Sequence, residues 1–132
     1  TGLTKEISHY TGYSIVAHDG ELETDCSIGY HCIAKPVNFD FSHSHDFVEL
    51  LCFWGGNPLD VTDLGAEIEV CLGEEHERHI IKGPTVISIP KGLVHCPITI
   101  KNVTKPMVFL EISLSRIYPR PKDRKKPTND VV

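Results

Sequence analysis

Apolar and polar residues in this chain alternate one for one far more often than they recur at helical spacing. No stretch of a dozen residues places apolar side chains at i, i+3, i+4 and i+7, so helices are not expected. The clearest period-two run is 66–72, where Ala66, Ile68, Val70 and Leu72 alternate with Glu67, Glu69 and Cys71. Segments 13–17, 28–34, 85–89, 97–103 and 107–115 also read as strands, and 46–54 as a more continuously apolar one. Punctuation between them is firm: Gly55-Gly56-Asn57-Pro58, Gly83-Pro84, Pro90-Lys91-Gly92 and Thr104-Lys105-Pro106 are turn signals. The acidic stretch Gly73-Glu74-Glu75-His76-Glu77 turns the chain back toward 78–82, which predicts a hairpin with one wet face. Short strands at nearly regular spacing predict an all-β sandwich or barrel.

Composition agrees. Val, Ile and Thr supply 33 of the 132 residues, with Gly and Pro adding 19 more, the usage of strands joined by turns. The length suits one domain, and a chain of this size buries roughly two thirds of its unfolded surface without disulfides or a structural metal. The net charge of −5 conceals a split. Residues 1–115 carry 7 basic and 16 acidic side chains, and 116–132 carry 6 and 2. An acidic body argues against a nucleic-acid partner, because that affinity rests on Lys and Arg meeting phosphates. The domain is therefore placed at 1–115. Residues 116–132 are read as a basic, proline-rich extension with little to bury, extended and mobile, or else an arm wrapping a neighbouring subunit. Five cysteines without a CxxC pair make a poor disulfide framework, so a reducing cytoplasm is expected. No apolar run approaches the ~20 residues of a spanning helix, so no membrane partner is expected. The first residue is Thr1 rather than methionine, which reads as a trimmed or truncated start.

Chemistry concentrates in His43-Ser44-His45-Asp46-Phe47-Val48-Glu49. On a regular strand His43, His45 and Glu49 share parity and project to one side. A single histidine is more often a satisfied polar residue than a ligand, but two on one face backed by an acid and flanked by Phe47, Val48, Leu50 and Leu51 are costly to bury unless they share a cation or hydrogen bonds. A fourth ligand should come from another strand, and His95 follows a Pro-x-Gly turn.

At these residues the chain resembles the cupin superfamily. The first motif stands as His43-x-His45-x3-Glu49-x6-Gly56 and the second as Gly83-x6-Pro90-x-Gly92-x2-His95, the resemblance covering about residues 29–115. Two departures are Val37, where a glycine usually precedes the first histidines, and Thr99, where an asparagine often follows the last. Neither touches a ligand. The resemblance implies a double-stranded β-helix, a small jelly-roll barrel, with one divalent transition metal held by His43, His45, Glu49 and His95. Such a set leaves two octahedral positions open and suits Fe, Mn, Ni, Co, Cu or Zn without choosing among them. It implies a metal-dependent enzyme on a small chelating organic molecule, by dioxygenase, lyase or isomerase chemistry, or alternatively a non-catalytic binding module, since the fold hosts many functions. A homodimer is expected, paired through an edge or a flat outer sheet of the barrel, a contact in which the apolar stretch 46–54 is a candidate.

Other residues were weighed singly. Glu111 shares a face with Met107, Phe109 and Ser113, and is a candidate base if that face lines the pocket, or an outward carboxylate on an edge. His31 or Cys32 is a candidate to support the ligands from an early strand, parity not saying which points inward. Cys96 is expected to face away from His95, and Cys52 away from Glu49, both as core thiols. Tyr13, Phe41, Phe47, Trp54 and Phe109 are candidate pocket walls or core. His76 and His79 are read as a solvated turn.

Overall fold

The computed structural model describes residues 4–7, 12–119 and 126–131. It is all-β, with ten strands: β1 (Thr4–Ile7), β2 (Gly12–Ala17), β3 (Ser27–Ile33), β4 (Val37–Phe39), β5 (Glu49–Gly55), β6 (Glu67–Leu72), β7 (Glu77–Ile81), β8 (Thr85–Ile89), β9 (His95–Lys101) and β10 (Met107–Ser113). They form two antiparallel sheets, ordered β1-β2-β3-β10-β5-β8 and β4-β9-β6-β7. The fold is a jelly-roll barrel.

The core lies between the sheets. Ile33, Leu51, Phe53, Ile89, Met107 and Phe109 from the larger sheet pack with Val37, Ile68, Val70, Ile81, Ile98 and Ile100 from the smaller. Phe109 stacks on Phe53 at 4.9 Å and meets Phe39 edge-on at 5.5 Å, an arrangement worth more than burial alone. The alternation in β6 works as read: Ile68 and Val70 are fully buried, while Glu69 faces outward to Lys101 at 2.7 Å. Most strand boundaries fall within two residues of expectation. Two strands had no signal. β4 has only three residues, and β1 is paired by β2 rather than by any pattern of its own.

Several expectations are corrected. The segment 43–48 is not strand, apart from one bridge between His43 and His95, and β5 begins only at Glu49. Tyr13 is 65% exposed and Trp54 is 37% exposed, so neither walls a pocket nor belongs to the core. β5 is hydrogen-bonded on both sides, by β10 and β8. Its edge is therefore not available to a second copy. Part of the tail lies against the barrel: Thr128 exchanges two backbone hydrogen bonds with Asn38, and Asn129 Nδ2 donates to the Pro36 carbonyl at 2.7 Å. This covers the edge of β4 with the chain's own residues, one way of blunting an exposed strand. Residues 120–125 of that tail lie outside the described ones. All five cysteines are free, and no helix among the described residues is long and apolar enough to cross a membrane.

Candidate metal centre

The turn after β8 sets the site. Leu93 N–H donates to the Pro90 carbonyl at 3.2 Å, and Gly92 sits at φ +79°, a left-handed conformation that glycine adopts without the Cβ penalty. Gly92 N–H in turn donates to His45 O at 2.9 Å, and His43 and His95 exchange backbone bonds of 3.1 and 2.9 Å. A loop and a strand distant in sequence are thereby zipped together. Ring centroids follow at 4.3 Å for His43–His95, 4.7 Å for His43–His45 and 5.1 Å for His45–His95.

Two of the rings are aimed from behind. His43 Nδ1–H donates to the Phe41 carbonyl, and His95 Nδ1–H donates to the Leu93 carbonyl at 3.0 Å. A proton held at Nδ1 leaves Nε2 as the lone-pair nitrogen, the tautomer a metal ligand requires. One nitrogen from each of the three rings lies within 4.8 Å of the others. Glu49, 2% exposed, enters from the start of β5. Its Oε1 stands 3.3 Å from His95 Nε2 and 3.7 Å from His45 Nε2, and its Oε2 accepts from the Ser113 hydroxyl at 2.9 Å.

The decisive observation is that His45 Nε2 and His95 Nε2 are buried without a hydrogen-bond partner. Buried polar atoms are rarely left so. Two unpartnered imidazole nitrogens converging with a third and with a carboxylate oxygen fit a divalent cation. Protonation is tuned in opposite senses. Burial, reinforced by the neighbouring His43 and His95 against the pull of Glu49, pushes His45 down to about 4. Burial also works against charge on His95, but the Glu49 carboxylate, the Leu93 carbonyl and the charge of Glu111 outweigh it and hold His95 above the usual histidine range.

Two cavities meet at these rings. The outer one, about 600 Å³, is walled by Phe41, Phe47 and Tyr118, with His43 and His45 at its floor. The inner one, about 30 Å³, reaches Glu49, His95, Phe109 and Glu111. Glu111 therefore lies on the pocket side of β10, a strand central to its sheet rather than at an edge. His31, rather than Cys32, is the inward residue of its pair, with Nε2 at 2.6 Å from Glu111 Oε1. Cys52 and Cys96 are buried as expected, Cys96 within the core cluster, but Cys96 also lines the inner cavity alongside His95 instead of facing away from it. The cause is backbone: Cys96 takes φ +76°, and the β6–β9 register shifts between Val70 and Leu72, so strict alternation fails there. Phe47 stacks on His45 at 4.6 Å, and Phe109 belongs to the core while reaching the inner cavity. His76 meets Ser42 at 3.1 Å and His79 pairs with Glu77 at 3.0 Å, away from the cluster.

Two contributors escaped the sequence. Ser113 sits directly across from Glu49 in the β5–β10 pairing, and its parity with Glu111 would have marked it. Tyr118, whose ring lies 5.7 Å from His45, comes from the tail, where no pattern pointed to it.

No family model matches this chain, and no curated protein matches it. Solved structures do. A serine-to-alanine mutant of Bacillus subtilis oxalate decarboxylase aligns with TM-score 0.59 at 15% identity, covering 88% of this chain and 28% of that one. The structure in which the Mn(II) centres of that enzyme were assigned aligns with TM-score 0.58 at the same identity and coverage. A two-residue deletion mutant aligns with TM-score 0.59, covering 89% and 29%. The chain thus spans under a third of the length of these neighbours, and the likeness supports the jelly-roll barrel at the level of the fold.

Proposed function

We propose that this chain is a metal-dependent cupin-type enzyme acting on a small organic molecule able to chelate its metal, by dioxygenase, lyase or isomerase chemistry. The observation that carries the reading is the pair of buried, unpartnered Nε2 atoms on His45 and His95 beside Glu49 Oε1. In this reading His43, His45, Glu49 and His95 hold one divalent ion, which when bound supplies Lewis-acid polarisation of substrate oxygens at its remaining positions. The described part of the chain contributes the rest. Phe41, Phe47 and Tyr118 offer apolar walls to a planar or short-chain ligand in the outer cavity, excluding water from one side of it. Glu111 lines the inner cavity, where a carboxylate is placed to accept or return a proton. The Mn(II) centres of the oxalate decarboxylase neighbour support metal dependence, and the choice among Fe, Mn, Ni, Co, Cu and Zn belongs to experiment.

The test is elemental analysis of tag-free protein beside a His43→Ala/His95→Ala double variant. About one equivalent of a transition metal in the wild type, lost in the variant, is expected for a single four-residue ligand set. A wild type that takes up no metal after anaerobic reconstitution would sink the reading.

A further inference from the structure

A polar chain that metal binding does not use ends at the inner cavity in Glu111. β2, β3 and β10 are neighbours in the larger sheet, and their register sets Ser14 across from His31 and Gly29 across from Glu111. His31 bridges the other two: Nδ1 lies 2.7 Å from Ser14 Oγ, and Nε2 lies 2.6 Å from Glu111 Oε1. With Glu111 ionised, Nε2–H donates to the carboxylate, which leaves Nδ1 to accept from the Ser14 hydroxyl. Exposure rises along the chain. Ser14 is fully buried, the His31 side chain is 14% exposed and that of Glu111 24%.

A serine, histidine and acid in hydrogen-bonded sequence would serve a nucleophilic serine if the hydroxyl faced the substrate. Here the order is reversed. The hydroxyl is the sealed end and the carboxylate is the end that lines the cavity with Glu49 and His95. Space for the contact comes from Gly29. A Cβ there would stand 3.0 Å from His31 Nε2 and 3.4 Å from Glu111 Oε1, so a side chain at this position would crowd the ring and push it by a few tenths of an ångström. The ring is held on its side by Phe109, with centroids 5.8 Å apart. Four residues on three strands thus fix one carboxylate.

We propose that His31, locked by Ser14, is a positioning residue that aims Glu111 into the cavity and makes it the acceptor of the proton a chelating acid gives up on binding. The proposal rests on the metal-dependent reading above. In the step itself the ligand's O–H bond breaks, its electron pair stays on the ligand oxygen, and a new O–H bond forms at a Glu111 carboxylate oxygen; the reverse returns the proton. No oxidant or other co-reactant is needed. Among the described residues, the titratable groups around Glu111 are His31 from β3, Glu49 from β5, His95 and Cys96 from β9, His43 and His45 from the loop before β5, and Tyr118 from the tail.

The probe is catechol, which must shed protons to chelate, titrated calorimetrically into Co(II)-loaded protein in two buffers of different ionisation enthalpy. The wild type should retain a proton that Glu111→Gln and His31→Gln release, so each variant should expel about one more proton per catechol bound, as expected when a single acceptor is removed. A merely structural His31 would alter affinity or stability and leave that count unchanged. Metal-free wild-type protein supplies an independent arm: a strongly deshielded proton coupled to the His31 Nε2 nitrogen in NMR spectra, lost in Glu111→Gln and retained in His43→Ala. Equal proton counts in wild type and variants, with Co(II) and catechol both bound, would overturn the relay and leave the metal centre standing. Absence of Co(II) absorption bands would overturn the metal-dependent reading. A His31 proton found at Nδ1 would overturn the His31–Glu111 geometry whatever the metal does.

Discussion

Ser113 shows how much of the centre depends on a residue that would touch no metal. Its hydroxyl is the partner of Glu49 Oε2, and it is itself 1% exposed. Ser113→Ala therefore leaves a buried carboxylate oxygen without that donor and frees Glu49 to turn. Metal affinity should fall about 10- to 100-fold, the usual effect of losing a group that orients a ligand, measured by competition with a chromophoric chelator; an unchanged affinity would show that packing alone aims Glu49. His43, His45 and Glu49 were legible residue by residue, since imidazoles and a carboxylate among apolar neighbours demand a partner, whereas His95 joined them through the family resemblance of its Pro-x-Gly turn. Ser113 was less so, because a serine on a strand satisfies itself in many ways. His31 was legible as one of two options. Only its burial beside Glu111, on a strand remote in sequence, decides between it and Cys32.

At the scale of elements, β5 joins the site to the core. Glu49 opens it at the centre, Leu51 and Phe53 fill the barrel, and Gly55 closes it against the following loop. A Cβ at Gly55 would lie 1.9 Å from the Asp63 carbonyl oxygen, a backbone atom with no flexible side chain to give way. Gly55→Ala should cost about 3 kcal/mol, toward the upper end of overpacking penalties, read as a lower urea midpoint. Metal stoichiometry per folded molecule should be retained, because the clash lies at the end of β5 away from Glu49. The parity argument placed His43, His45 and Glu49 on one side, and they do converge, yet not by strand geometry. A loop pinned through the His43–His95 bridge and the Gly92 turn brings them together. Cys96 shows the converse, since a positive φ and a register shift cancel the alternation that parity assumes.

For the molecule as a whole, the site makes the stability of the metal-free protein depend on pH. His45 is held at about 4, below the ordinary value of about 6.5, so between these the unfolded chain binds a proton that the folded chain refuses. The stabilisation is fully present above about 6.5 and is lost as pH falls toward about 4. His95, raised, acts in the other sense: its contribution is present below the ordinary value and is lost as pH rises through its folded value. Denaturant midpoints of metal-free protein should therefore drop between pH 6.5 and 4, and His45→Gln should flatten that part of the curve. A variant with the same slope as wild type would show that other groups carry it. Saturating metal should deepen the acid loss, because protons and metal compete for the same nitrogens.

What the sequence by itself determined is what local periodicity and residue chemistry control. Strand positions, the turns between them and the demand of His43, His45 and Glu49 for a shared partner follow from spacing and the cost of burying polar groups, and the resemblance of the second motif adds His95. Tertiary structure decided what depends on which strands become neighbours. Placing β10 between β3 and β5 turned Glu111 inward and set it on His31. The same placement pairs both edges of β5 within the sheet. Folding of the tail onto β4 and over His45 brought in Tyr118. These are contacts between residues 30 to 90 positions apart, as in Ser42 with His76 at a separation of 34 and Ser27 with Arg116 at 89. No periodicity in a single strand carries information about its partners across the barrel.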